Sequence, residues 1–117
     1  MSAVNNVTLV GNVGNNPAED LKEFGEAKKV ELRLAIRRTY KNKDGEYDTD
    51  WVSIHFWNRR AENVAEYATQ GSLVSVSGEV RTDKYEDSNG NTRNAFFIEG
   101  DQFQVLKRKQ EGEGAPF

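Results

Sequence analysis

Apolar and polar residues alternate through most of this chain with a period of two. From Lys29 to Arg38, Val30, Leu32, Leu34 and Ile36 are interleaved with Glu31, Arg33, Ala35 and Arg37, the spacing of a strand with one buried and one solvated face. Val4–Val13 reads as an earlier strand that ends at the turn cluster Gly14-Asn15-Asn16-Pro17. Asp50–Trp57, rich in β-branched and aromatic residues, reads as a third, joined to the second by the polar reversal Asn42-Lys43-Asp44-Gly45. In that third strand Trp51, Ser53, His55 and Trp57 share one parity and Val52, Ile54 and Phe56 the other, so both tryptophans fall off the aliphatic face.

The period then changes. Ala61, Val64, Ala65 and Ala68 recur at helical spacing, which predicts a helix over about 59–70, with Asn58 as its cap and Gly71 as its stop. Alternation returns at Ser72–Asp83, and Ser88-Asn89-Gly90-Asn91 carries the Asn-Gly signal of a hairpin to a fifth strand. Three strands, one helix and a two-strand hairpin make an all-β class with one helix. The order is that of a five-stranded oligonucleotide-binding (OB-fold) β-barrel whose helix lies between strands 3 and 4. One domain over 1–106 and a short non-periodic tail over 107–117 account for the 117 residues.

Composition narrows the function. No window approaches the roughly 20 apolar residues of a membrane span, and the start has no basic segment followed by an apolar one, so a soluble, cytoplasmic protein with no membrane partner is expected. Cysteine is absent, which removes disulfides and thiolate metal ligands. The single histidine, His55, has Ser53 on the same strand face, but no nucleophile elbow surrounds them. No catalytic residue, metal site or cofactor is therefore assigned. Gly11 and Gly14 lack the spacing of a phosphate-binding loop and read as a barrel corner and a turn.

The net charge of −3 runs against a simple polyanion binder, but the charge is segregated. Lys28, Lys29, Arg33, Arg37, Arg38, Lys41 and Lys43 fall in one stretch that contains a single acid, Glu31. Of the aromatics, Phe56, Phe96 and Phe103 are expected in the core with Val80, whereas Tyr40 and Tyr85, in polar settings near hairpins, are expected to be exposed. Tyr40, Trp51, Trp57 and Tyr85 each have a cation nearby, and interleaved rings and cations suit sequence-tolerant binding of a single strand: bases stack on rings while phosphates meet cations.

Four segments in order carry a family resemblance: residues 4–17, the strand of Trp51, the helix end Ala65-Glu66-Tyr67-Ala68-Thr69-Gln70-Gly71-Ser72, and Gly78-Glu79-Val80-Arg81-Thr82-Asp83-Lys84-Tyr85. Over about 4–106 the chain resembles bacterial single-stranded DNA-binding proteins. The resemblance implies a non-enzymatic, nucleoid-associated coat for single-stranded DNA in replication, recombination and repair, assembled as a homotetramer, a dimer of dimers. It assigns stacking to Tyr40, Trp51, Trp57 and Tyr85, and phosphate contacts to Lys43, Arg59, Arg81 and Lys84. Arg37 and Lys41 join these phosphate-binding candidates from the basic stretch. Ser53, Gln70 and Asp83 stand where relatives are often basic, which implies fewer phosphate contacts. The family's acidic tail ends in Pro-Phe and docks replication and repair proteins; Glu111, Glu113, Pro116 and Phe117 match it on a shorter linker. A related barrel acting as a replication or primosome adaptor, through protein partners first, fits the same fold, and RNA is not separated from DNA by stacking alone.

Overall fold

The computed structural model describes residues 3–108. The elements in chain order are β1 (Val7–Val13), α1 (Pro17–Asp20), β2 (Lys22–Phe24), β3 (Ala27–Lys41), β4 (Tyr47–Trp57), α2 (Asn58–Tyr67), β5 (Leu73–Glu86) and β6 (Thr92–Lys107). Five strands close into a ring, β1-β5-β6-β4-β3 and back to β1, with β2 paired to the first residues of β3 on the edge that β1 meets further along. The expected OB-fold barrel is the architecture found. Because the short β2 adds one strand to the count, the main helix lies between β4 and β5.

Alternation explains the core. Val30, Leu32 and Leu34 of β3, Ile54 and Phe56 of β4, Val74 and Val76 of β5 and Ile98 of β6 are buried together, and α2 closes one end with Ala61 and Val64. Removing this apolar surface from water is the main driving force of the fold. The ring is completed by two brief pairings: β1 with β3 at Asn12–Ala35 and Val13–Leu34, and β4 with β6, in parallel, at Ile54–Ile98 and His55–Glu99. At that seam Gly100 is required, since a Cβ there would overlap the ring of Phe56.

Two asparagine side chains extend the ladders past the ends of β1. Asn5 donates from Nδ2 to the Val80 carbonyl and accepts from the Val80 amide, at 2.9 and 2.8 Å, as another backbone unit would. Asn15 does the same against β3, donating to the Glu31 carbonyl and accepting from the Arg33 amide. Each satisfies strand groups that would otherwise lose their partners.

Beyond the barrel, β3–β4 and β5–β6 run out as two hairpins. Their turns are held by single acceptors: Asn42 Oδ1 takes the amides of Asp44 and Glu46, and Asp87 Oδ1 takes those of Asn89 and Asn91. Arg93 also donates to Asp87, which holds that carboxyl below its ordinary range.

Three expectations change. Asn58 does not cap α2 through its side chain; it adopts φ 56°, and its Oδ1 accepts from the Lys28 amide of β3. The helix ends at Tyr67 because Ala68 turns to an extended conformation, before Gly71 is reached. Phe96 is 58% exposed. It shares the parity of buried Ile98 but lies where β6 has left the barrel, so no opposing layer covers it, whereas Phe56 is buried and Phe103 and Val80 pack against the core.

Candidate nucleic-acid interface

Register builds one outward face across four strands. Side chains directly opposite in a ladder share a face, and the pairs Lys29–Trp57, Glu31–His55, Arg33–Ser53 and Ala35–Trp51 bring β3 and β4 together on the outside. His55–Glu99 carries that face onto β6, and Glu79–Glu99, Arg81–Phe97, Asp83–Ala95 and Tyr85–Arg93 carry it onto β5. Trp51 is 56% and Trp57 39% exposed. The expectation that both tryptophans leave the aliphatic face is met.

Each tryptophan carries a cation. The Arg33 guanidinium lies 5.7 Å from the Trp51 ring centre, and Lys29 Nζ 5.4 Å from that of Trp57. Trp57 also meets Phe24 of β2, ring centres 6.4 Å apart and tilted by 47°. Along the β3–β4 hairpin, Tyr47 has the Arg37 guanidinium at 4.1 Å and Lys41 Nζ at 5.8 Å from its ring centre.

The basic stretch divides by partner. Lys28 pairs with Glu62 at 3.1 Å, and Arg38 grips Asp50 through two hydrogen bonds of 2.9 and 3.0 Å. That fork raises the guanidinium's pKa further and lowers that of Asp50. Lys29, Arg33, Arg37 and Lys41 lie instead against the aromatic rings, and Lys43 sits in the hairpin turn.

The residues singled out by sequence are therefore only partly united. Trp51, Trp57, Tyr85 and Arg81 share the outward face, and Arg37 and Lys41 gather at Tyr47. Tyr40 is exposed on the hairpin arm and Arg59 in the first turn of α2, while Lys84 alternates to the side opposite Arg81. Arg81 is already held by Glu79 at 2.6 Å and Glu99 at 2.9 Å. Glu111, Glu113, Pro116 and Phe117 lie outside the described residues.

Lys29 and Arg33, which the sequence places in the basic stretch, were not assigned to the site, and neither were Phe24, Tyr47 and Phe97. Period-two spacing gave Lys29 and Arg33 their solvent face, but only the β3–β4 register sets them against the tryptophans. His55 stacks on Phe97 with ring centres 4.3 Å apart and planes 20° off parallel. Its Nε2 lies 3.5 Å from Glu31. Burial and the nearby Lys29 ammonium hold the imidazole below its ordinary pKa, against the opposing pull of Glu31 and Asp83. Among the described residues no group of three or more His, Asp or Glu could hold a metal ion, and no helix is long and apolar enough to cross a membrane.

A model of the single-strand binding protein family matches residues 4–106. The chain belongs to that family. Its relatives include single-stranded DNA-binding protein 1 of Clostridium acetobutylicum, 32% identical over 108 residues that span 92% of this chain and 98% of the relative. The single-stranded DNA-binding protein of Streptococcus mutans is 32% identical over 111 residues, 95% of this chain and 67% of the relative. Single-stranded DNA-binding protein 1 of Lactococcus lactis is 32% identical over 112 residues, 94% of this chain and 73% of the relative. Family membership thus spans the whole barrel and both hairpins that carry the aromatic face.

Proposed function

We propose that the chain coats single-stranded DNA without regard to sequence and without cutting or modifying it, serving replication, recombination and repair. The observation that carries this reading is the pair of outward tryptophans, each exposed and each with a cation over its ring. A flat apolar ring beside a cation matches a nucleotide unit, base on ring and phosphate on cation, and every base offers the same π-face. Trp51, Trp57, Tyr85 and Tyr40 take the bases in this reading. Arg33, Arg37 and Lys41 take phosphates first, with Lys43 and Lys84 on the hairpins and Arg59 on α2, while Lys29 stands beside the base on Trp57. Arg81 reaches a phosphate only by leaving its two carboxylates.

Family membership supports assembly as a homotetramer, a dimer of dimers, around which the strand runs. We assign docking of replication and repair proteins to the 107–117 segment, on its composition: acids at Glu111 and Glu113 beside the apolar Pro116-Phe117.

The test is competition. A labelled dT oligonucleotide bound by the full chain should be displaced by unlabelled single strands of mixed sequence and not by the matching duplex. Displacement by duplex at equal concentration contradicts the proposal.

A further inference from the structure

The outward face has a recess of about 300 Å³ between Trp57 and Phe97, walled by Lys29, Asp83 and Glu99. None of the stacking positions assigned above lies on its β6 side. Phe97 is half-buried there, with the His55 ring flat against it as a backing plate. The volume is at the small end of ligand pockets, about 300–1,000 Å³.

Its charges decide what it can hold. Arg81 is neutralised by Glu79 and Glu99, and Glu31 stands beside His55. The Asp83 carboxylate makes no ion pair or side-chain hydrogen bond among the described residues. Among the described residues that leaves Lys29 as the wall cation without a carboxylate partner; the walls balance, Lys29 and Arg81 against Asp83 and Glu99, and the flanking Glu31 and Glu79 tip the surroundings to negative. A phosphate finds no net attraction in such a recess. An uncharged, flat, polar-edged ring does, since it gains ring contact on Phe97 and Trp57 and finds both a donor, Lys29, and an acceptor, Asp83, for its edge.

We propose that Phe97, backed by His55, is a base-stacking platform in its own right, and that this recess seats one nucleobase of the bound strand. The strand then crosses the sheet over the β4–β6 seam on its way from Trp57 to the β5–β6 hairpin, with its phosphates held outside the recess. This inference rests on the single-strand-binding reading.

The full chain is titrated with a dT oligonucleotide as wild type, Phe97→Leu and Phe97→Tyr, with Phe96→Leu as a neighbour of opposite parity. Phe97→Leu keeps the apolar packing and loses the aromatic face, so it should weaken binding about tenfold, with melting temperature and assembly mass unchanged. Phe97→Tyr should bind as wild type does, and so should Phe96→Leu. As a readout independent of any variant, an oligonucleotide carrying 5-iododeoxyuridine should photo-cross-link to Phe97 in the wild-type protein. Wild-type affinity in Phe97→Leu, or cross-links at Trp57 with none at Phe97, overturns the proposal and leaves the function reading intact. A wild-type chain that shows no binding to the dT strand overturns both.

Discussion

The indole of Trp51 lies directly on Gly14: a Cβ at position 14 would fall inside the ring edge at Cζ3. The bend after β1 therefore serves as the floor of an exposed ring on β4, and with Arg33 over the same ring it fixes how Trp51 is presented.

Gly14→Ala should disturb binding more than folding. Gly14 does not sit at positive φ, and the obstruction is an exposed side chain that can swing away, so the melting temperature should change little. The displaced indole should cost part of one stacked base, up to about 1 kcal/mol and thus several-fold in affinity for a dT oligonucleotide. Calorimetry and a binding titration on the same sample check both halves.

Leu32→Ala should do the reverse. Leu32 is fully buried inside the barrel, on the side of β3 opposite the outward face, so its truncation should cost about 2–5 kcal/mol of stability. Affinity per folded molecule should be unchanged, as a denaturation curve and a titration at low temperature would show.

His55 makes stability depend on pH in a window of its own. Its folded pKa lies below the ordinary value of 6.5, so between the two values the unfolded chain binds more protons and stability rises with pH. The contribution is full above about pH 6.5 and is lost as pH falls through the folded pKa. Asp50 and Asp87, held low by Arg38 and Arg93, act only below about pH 4. Denaturant unfolding from pH 7.5 to 5 should therefore show a loss of stability that His55→Gln abolishes; equal slopes in both proteins contradict this assignment.

Binding should weaken only gently with salt. Arg38 and Arg81 are committed to carboxylates, and few cations stand free on the face. On single strands each phosphate contact adds about 0.7 to the slope of log affinity against log salt. Arg33→Ala or Lys41→Ala should each flatten that slope by about this amount, whereas Arg38→Ala should leave it unchanged.

Much of this was legible in the residue pattern, for definite reasons. The alternation through Val30, Leu32 and Leu34 and the parity of Trp51 and Trp57 are local, so faces could be assigned without knowing the neighbours. α1 and β2, of four and three residues, are too short to show a period. Phe96 shows that parity names a face but not whether anything covers it. The His55–Phe97 stack joins residues 42 apart through a parallel seam of two residue pairs, and nothing local announces that pairing. Asn58 carries the residue type of a cap, yet its amide serves β3.

The central claim, that outward tryptophans stack bases, is tested most directly by titrating intrinsic tryptophan fluorescence with poly(dT) and with duplex DNA, for wild type and Trp51→Ala. The account predicts strong quenching by poly(dT) alone, and in Trp51→Ala a weaker affinity by about 1–3 kcal/mol, the magnitude known for stacking in such barrels as a class. Equal quenching by duplex, or unchanged affinity without Trp51, would contradict it.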